Sequence, residues 1–374
     1  SFLVSPPCIT RAFPHNLKYQ TAQGCNMDFS IFYLPCWRDA YGMSLTTFYE
    51  ELLETFRYAD THGFQRGLFT EHHFHYYGGA VPNPAVIFAA IARETKHLRL
   101  GATVSLMQLR NPLQVAEDYA MVDQLSGGRC DFSVARGFVP HEFAAFGIAQ
   151  EEAAERIAEG LEICRKFWAG EPFAFSGKHF SFEEIEPWPP AVNGAIPIWT
   201  AASNNRDSFV NAGRNGSRMM MNQYPMSFDA LREKFSWYCD DWDASGRPRQ
   251  DRKAMVSFIA HIAGTEEKAI AEAQQAVQEH VNIFGKVMRG ENRDRNYLGD
   301  ISLLTGMSAT GQVEDLFRER TLIGTAQQVV ERIEKYRALG FTEISILPRV
   351  TSISHAQCME TLQRFSEEVI PLVR

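Results

Sequence analysis

Eight short apolar runs, each followed by a segment of helix length, restrict what this chain can fold into. The runs are Met27–Leu34, Gly67–Phe69, Leu98–Leu106, Cys130–Ala135, Ile196–Ala201, Met219–Met221, Val256–Ala263 and Glu343–Leu347. A strand that returns parallel to its predecessor needs a long crossover, usually a helix, so regular strand–helix alternation signals a parallel sheet. Eight units without a reversal predict an α/β fold, the TIM (β/α)8 barrel. A doubly wound open sheet of similar length is the alternative, because strand order is not written in one sequence. The chain has 374 residues, 45% of them hydrophobic, enough for a core of that size.

The helical segments carry their own punctuation. Over about Leu45–His62, Phe48, Leu52, Phe56 and Ala59 recur at spacings of three and four, and Gly63 ends the run. Asn83-Pro84 supplies an N-cap and a first-turn proline for a helix to about Lys96. Further helices are expected at Leu113–Leu125, at Glu152–Trp168, after the Ser203-Asn204-Asn205 turn, and at Phe228–Ala244. Three more follow, over Thr265–Phe284, from the Thr325–Gln328 capping box to Leu339, and over Ser354–Val369. The turn-rich stretch from Phe173 to Pro190 predicts a small insertion hairpin. Gly285–Thr321 is polar and weakly patterned, and is expected to be a long loop after strand seven. Residues 1–26 form an irregular extension, leaving 27–374 as one barrel domain.

The formal net charge of −8 argues against nucleic acid or an anionic membrane as the main partner. It leaves room for a small anionic cofactor, which needs only a local positive site. The seven cysteines are scattered and form no C-x-x-C pair, so neither a disulfide framework nor a zinc site is expected. No apolar run is long enough to span a bilayer, and the first residues lack the basic-then-apolar order of a signal peptide. The expected setting is reducing and cytoplasmic.

Barrel chemistry sits at the carboxyl ends of the strands. Strand two ends in Glu71-His72-His73-Phe74-His75-Tyr76-Tyr77-Gly78-Gly79. Histidine works as acid or base near neutrality, and aromatic rings suit a planar ligand. A polar loop with structural histidines reads equally well on residue types, and a metal site lacks partner ligands elsewhere. Strand four ends in Ala135-Arg136-Gly137-Phe138. A guanidinium there can hold a phosphate, with glycine allowing close approach, or can pair with a surface carboxylate. The strand-five turn, Ser203-Asn204-Asn205, offers small polar side chains at a helix start, an anion site or a plain N-cap. Neither a G-x-G-x-x-G after the first strand nor a P-loop is present.

Taken in order, these segments resemble the bacterial luciferase-like flavin-dependent monooxygenases. The matching residues are Glu71-His72-His73-Phe74, Asn83-Pro84, Leu100–Val104, Asn111-Pro112, Ala116-Glu117-Asp118, Val122–Arg129, Arg136-Gly137 and Ile323-Gly324-Thr325. The resemblance spans about Met27 to Arg374 and is strongest over Phe69–Gly147. It implies a two-component monooxygenase that takes reduced FMN from a separate flavin reductase. With O2 such an enzyme forms a flavin C4a-hydroperoxide that oxygenates a small organic or carrier-bound substrate. It implies His72 and Glu71 as the catalytic residues, His72 assisting proton transfer and Glu71 lining the flavin site. Arg136, Ser203, Asn204 and Ser208 would hold the FMN phosphate, and Thr103-Val104 matches a non-prolyl cis peptide against the isoalloxazine. His73, Tyr76, Phe138 and Glu142 fall on the substrate side, no metal is implied, and a homodimer is expected. Ala135 stands where the luciferase catalytic subunit has a reactive cysteine, which argues against light emission. Ser203 stands where luciferase has a carboxylate, and residues 1–26 have no counterpart. An F420- or flavin-dependent oxidoreductase without oxygen insertion and an inactive flavin-binding subunit are the competing readings.

Overall fold

A closed barrel of eight parallel strands, order β1-β2-β3-β4-β7-β8-β9-β11, forms the centre of the computed structural model, which describes residues 26–224, 226–288 and 313–373. The strands are β1 Asp28–Tyr33, β2 Arg66–Phe69, β3 Arg99–Ala102, β4 Cys130–Val134, β7 Ile198–Ala201, β8 Arg218–Asn222, β9 Ala254–Ile262 and β11 Glu343–Leu347. Two pairings complete the ring. Asp28 pairs with Glu343 between β1 and β11, and Met219 pairs with Ala254 between β8 and β9. Helices cover the outside, so β2, β4, β9 and β11 are buried at every position. That burial explains why these strands read as apolar runs rather than as alternating patterns.

Helices follow their sequence signals closely. Asn83 Oδ1 accepts from Ala85 N at 3.1 Å ahead of Pro84–Glu94, and Asn111 Oδ1 from Leu113 N at 2.9 Å ahead of Pro112–Ser126. The Thr325 and Ser354 capping boxes both form. The insertion hairpin is β5 Phe173–Ser176 against β6 Ser181–Ile185.

Several boundaries differ from the sequence reading. The third strand was expected to reach Leu106, but it ends at Ala102. The Thr103–Val104 peptide is cis, and a 3₁₀ turn follows at Met107–Leu109. A helix at Pro140–Phe146 is additional to the reading; its seven residues are too few to show a period. The expected loop Gly285–Thr321 is shorter than its sequence suggests. The preceding helix continues to Met288, and Val313–Arg320 is helical. The rest of that stretch and residues 1–25 lie outside the described residues. A further strand, β10 Leu322–Gly324, pairs parallel with the upper part of β9.

The barrel floor is ionic. The Arg66 side chain, 10% exposed, lies between Asp131 (Nε to Oδ2, 2.8 Å) and Glu343 (Nη1 to Oε2, 2.5 Å). Ser30 donates to the same Glu343 carboxylate, and Arg99 reaches Asp131 Oδ1 at 2.9 Å. Arg66 and Arg218 both lie against the Trp199 ring, at 5.1 and 5.5 Å. Burial would raise Asp131, but Arg66, Arg99 and Arg218 outweigh it and hold the carboxyl below its ordinary value. At Glu343 burial prevails over Arg66 and raises it. Removing one partner of such a cluster strands a buried charge. Arg66→Met is therefore expected to lower stability by about 3–5 kcal/mol in urea unfolding. A loss below about 1 kcal/mol, the range of exposed pairs, would show that the floor does not hold the strands together.

Candidate active site

At the opposite, carboxyl end, two buried carboxylates organise the loop after β2. Glu71, 1% exposed, has both oxygens occupied. Its Oε2 accepts from Ser105 Oγ and from Leu106 N, each at 3.1 Å, and its Oε1 faces His73 Nε2 at 3.2 Å. Its own N–H donates to Val104 O at 3.3 Å, so Glu71 fastens the turn that contains the cis Thr103–Val104 peptide. Glu142, also 1% exposed, comes from the short Pro140–Phe146 helix. Its Oε1 accepts from His73 N at 2.8 Å and lies 3.0 Å from His72 Nδ1. A carboxylate can only accept, so His72 carries a proton on Nδ1, which leaves Nε2 as the working atom.

The His72 ring sits in an aromatic setting, 5.1 Å from Tyr77 and 5.7 Å from Phe138. Gly78, at φ 74°, lies under it, and a Cβ there would meet His72 Cδ2 at 2.7 Å. Phe284 links the wall, 5.9 Å from both Tyr77 and Phe138 and 6.5 Å from Tyr224. His75 is pushed below its usual value by burial and by the neighbouring His141 and His72.

The expected phosphate residues meet at neighbouring strand ends. Val134 of β4 pairs with Thr200 of β7, which brings the stretches beginning at Arg136 and at Ser203 side by side. Gly137 sits at φ 71°, where a side chain is strained, and a Cβ there would also meet Gln108 Nε2 at 2.8 Å. Gln108 Nε2 in turn donates to Arg136 O at 3.1 Å. Ser203 and Asn204 are exposed and precede the helix Arg206–Asn215, capped by Asn205, whose Oδ1 accepts from Asp207 N and Ser208 N. Lys234 Nζ donates to Asn204 Oδ1 at 2.6 Å. This second cation came from the following helix, and nothing near the turn in sequence announced it. Tyr76 stands apart from the other expected pocket residues. It stacks on His75 at 4.2 Å and lies beneath Arg38 on an outer groove, while Tyr77 takes the place beside His72.

His280 was also missed. It lies on the helix Glu266–Met288, three residues after Val277 and four before Phe284, so a histidine on an apolar stripe was the available signal. Its ring is 5.4 Å from Tyr224 and 6.0 Å from Tyr77. Burial alone pushes its imidazole down from 6.5 to about 4.

With this geometry in place, comparison with known proteins is direct. The sequence pattern of the luciferase-like monooxygenases matches residues 27–343, and the chain belongs to that family of enzymes. It is 27% identical over 329 residues to the oxygenase component of a flavin-dependent trigonelline monooxygenase from Acinetobacter baylyi, covering 86% of this chain and 89% of the relative. It is 26% identical to an FMNH2-dependent dimethylsulfone monooxygenase from Pseudomonas fluorescens, covering 80% of each chain. Among solved structures, the monooxygenase RslO1 from Streptomyces bottropensis superposes with a TM-score of 0.80 at 26% identity, over 93% of this chain and 100% of the other.

Two measurements check the site. In ¹⁵N-edited NMR, His72 should show a protonated Nδ1 that is lost in Glu142→Ala; an unchanged tautomer would mean that Glu142 does not hold the ring. Because folding lowers the His280 pKa, its contribution is complete above about pH 6.5 and disappears as the pH falls toward about 4. His280→Gln should therefore flatten the acid side of the stability profile by about 3 kcal/mol. Parallel profiles for the two proteins would refute the assignment.

Proposed function

We propose that this chain is the oxygenase component of a two-component system, using reduced FMN from a separate flavin reductase to insert one atom of O2 into a small organic or carrier-bound substrate. The observation that carries the reading is the buried Glu142–His72 pair beside the Thr103–Val104 turn, itself fastened by Glu71. The residues present fit FMN. Arg136, Ser203, Asn204, Ser208 and Lys234 supply positive charge, hydroxyls and a helix start for the phosphate. The Thr103–Val104 peptide offers a flat edge to the ring system. When bound, reduced FMN supplies two electrons to dioxygen, one oxygen atom going to the substrate and the other leaving as water.

The chain's own residues do the rest. His72 Nε2 takes or returns a proton at the reacting centre, while Glu142 keeps the ring in one orientation. Glu71, with both oxygens occupied, positions the turn. Phe138, His73 and Tyr77 keep water from the mouth, which favours oxygen transfer over wasteful oxidation of the cofactor. Residues 27–374 act as one catalytic domain with 1–26 as an extension. The five described cysteines are buried and unbridged, which fits a cytoplasmic enzyme. Val86, Met121 and Leu125 are exposed apolar residues on the helices Pro84–Glu94 and Pro112–Ser126, the faces through which a homodimer would pair.

The test is rapid mixing of protein-bound reduced FMN with oxygenated buffer while flavin absorbance is followed. Return of the oxidised spectrum should be slower than for free reduced FMN, and His72→Ala should abolish the delay. Arg136→Ala should weaken FMN binding about 10- to 100-fold, the worth of charge-assisted hydrogen bonds. Failure to bind FMN together with binding of F420 would replace this reading with a deazaflavin oxidoreductase.

A further inference from the structure

Between β1, β8, β9 and β11, below the barrel mouth, lies a narrow, partly open cavity of about 10 Å³, room for about one water molecule or one substrate oxygen. Phe32, Phe258, Ile259 and Leu347 give it an apolar lining, while Tyr224, His280, Asn222 and Ser257 are the polar residues that border it. Asn222 Oδ1 accepts from Tyr224 N at 3.2 Å and holds the turn after β8 that places the phenol there. Neither Tyr224 Oη nor His280 Nδ1 has a hydrogen-bond partner among the described residues, although both atoms are buried. Buried polar atoms without partners cost stability, and apolar residues would pack this place better.

We propose that Tyr224 and His280 form a subsite for one uncharged oxygen of the substrate, a ketone carbonyl or an alcohol hydroxyl. The inference rests on the oxygenase reading above and names its substrate class. A phenol donates to such an oxygen, and a neutral imidazole nitrogen accepts from a hydroxyl or donates to a carbonyl. The cavity admits one atom of that size. The aromatic contacts His280–Tyr77 and Tyr77–His72 place this anchor one ring away from His72. Among the described residues an anion would find a counter-charge only from Arg320, which acts on Tyr224 and not on His280. Arg320 acts on Tyr224, but burial outweighs it and keeps the phenol protonated. A metal is not supported either, as no cluster of three or more His, Cys, Asp or Glu side chains occurs among the described residues.

The test uses the full-length protein and three probes of one shape: cyclohexanone, methylcyclohexane and cyclohexanecarboxylate. Binding is read from the ¹⁵N shifts of the His280 ring, assigned by the signals missing in His280→Gln, and from titration affinities. Cyclohexanone should move the His280 nitrogens, and Tyr224→Phe and His280→Phe should each weaken it about tenfold. His280→Gln, which keeps a polar group, should recover part of that loss. The hydrocarbon should bind more weakly than the ketone, equally in all variants, and the carboxylate weakest. Reduced-FMN binding, measured separately, should be the same in every variant. Unmoved His280 signals, equal ketone affinity in the variants, or tightest binding of the carboxylate would each overturn the subsite. If FMN binding holds in those cases, the oxygenase reading survives. If the protein fails to bind FMN while cyclohexanone still moves His280, the oxygenase reading falls and the subsite stands.

Discussion

Arg66 is the interaction on which the barrel depends. Eight parallel strands can close only if their inward side chains fill the enclosed space. At the floor of this barrel the filling is charged. One guanidinium from β2 reaches a carboxylate of β4 on one side and a carboxylate of β11 on the other, with Trp199 of β7 against its face. Four strands that are distant in sequence are tied through a single side chain. Their mutual register follows, and with it the places where the opposite ends of the strands emerge.

The upper end uses the same device for a different purpose. Glu71 and Glu142 are as deeply buried as the floor carboxylates, but most of their partners are loop backbone and histidine. A carboxylate that accepts from two or three donors fixes a loop firmly. Here the loops after β2 and β3, and the short helix after β4, are locked into one unit. His72 inherits that rigidity, which its proposed role in proton transfer requires, since such a group must be held to a fraction of an ångström. The adjustable parts are elsewhere. The long helix after β9 closes the mouth with Phe284 and His280, and the turn after β8 contributes Tyr224. In the proposed function the cofactor is held by this fixed portion, and the proposed substrate subsite lies among side chains of the second group.

Much of the site was legible because its residues sit next to strand ends. Glu71, His72 and Arg136 could be named from their position after apolar runs, and Asn83 and Asn111 from the proline that follows each. Tyr76 and Tyr77 could not be separated. Adjacent residues in an irregular loop point in directions that only the packed loop decides. Lys234 and His280 were missed for a related reason. Each sits deep inside a helix whose own pattern is fully explained by amphipathicity, and each meets the site through a partner far away in the chain. The third strand was overextended because Thr103–Leu106 keeps the polar–apolar alternation of a strand, and periodicity does not report a cis peptide.

By itself, the sequence determined the alternation of strands and helices, the caps that start the helices, the hairpin, and the ordered motifs that place the chain in its family. All are local signals, governed by propensity and by short-range hydrogen bonding. Only the tertiary structure decided that the sheet closes, that Glu71 is an anchor, and that Glu142 lies behind His72. It alone showed that two rings, each with a buried polar atom lacking a hydrogen-bond partner among the described residues, border a small cavity below the mouth. Each of those is a contact between segments dozens to hundreds of residues apart. Such contacts exist only after the strands have fixed their order around the barrel.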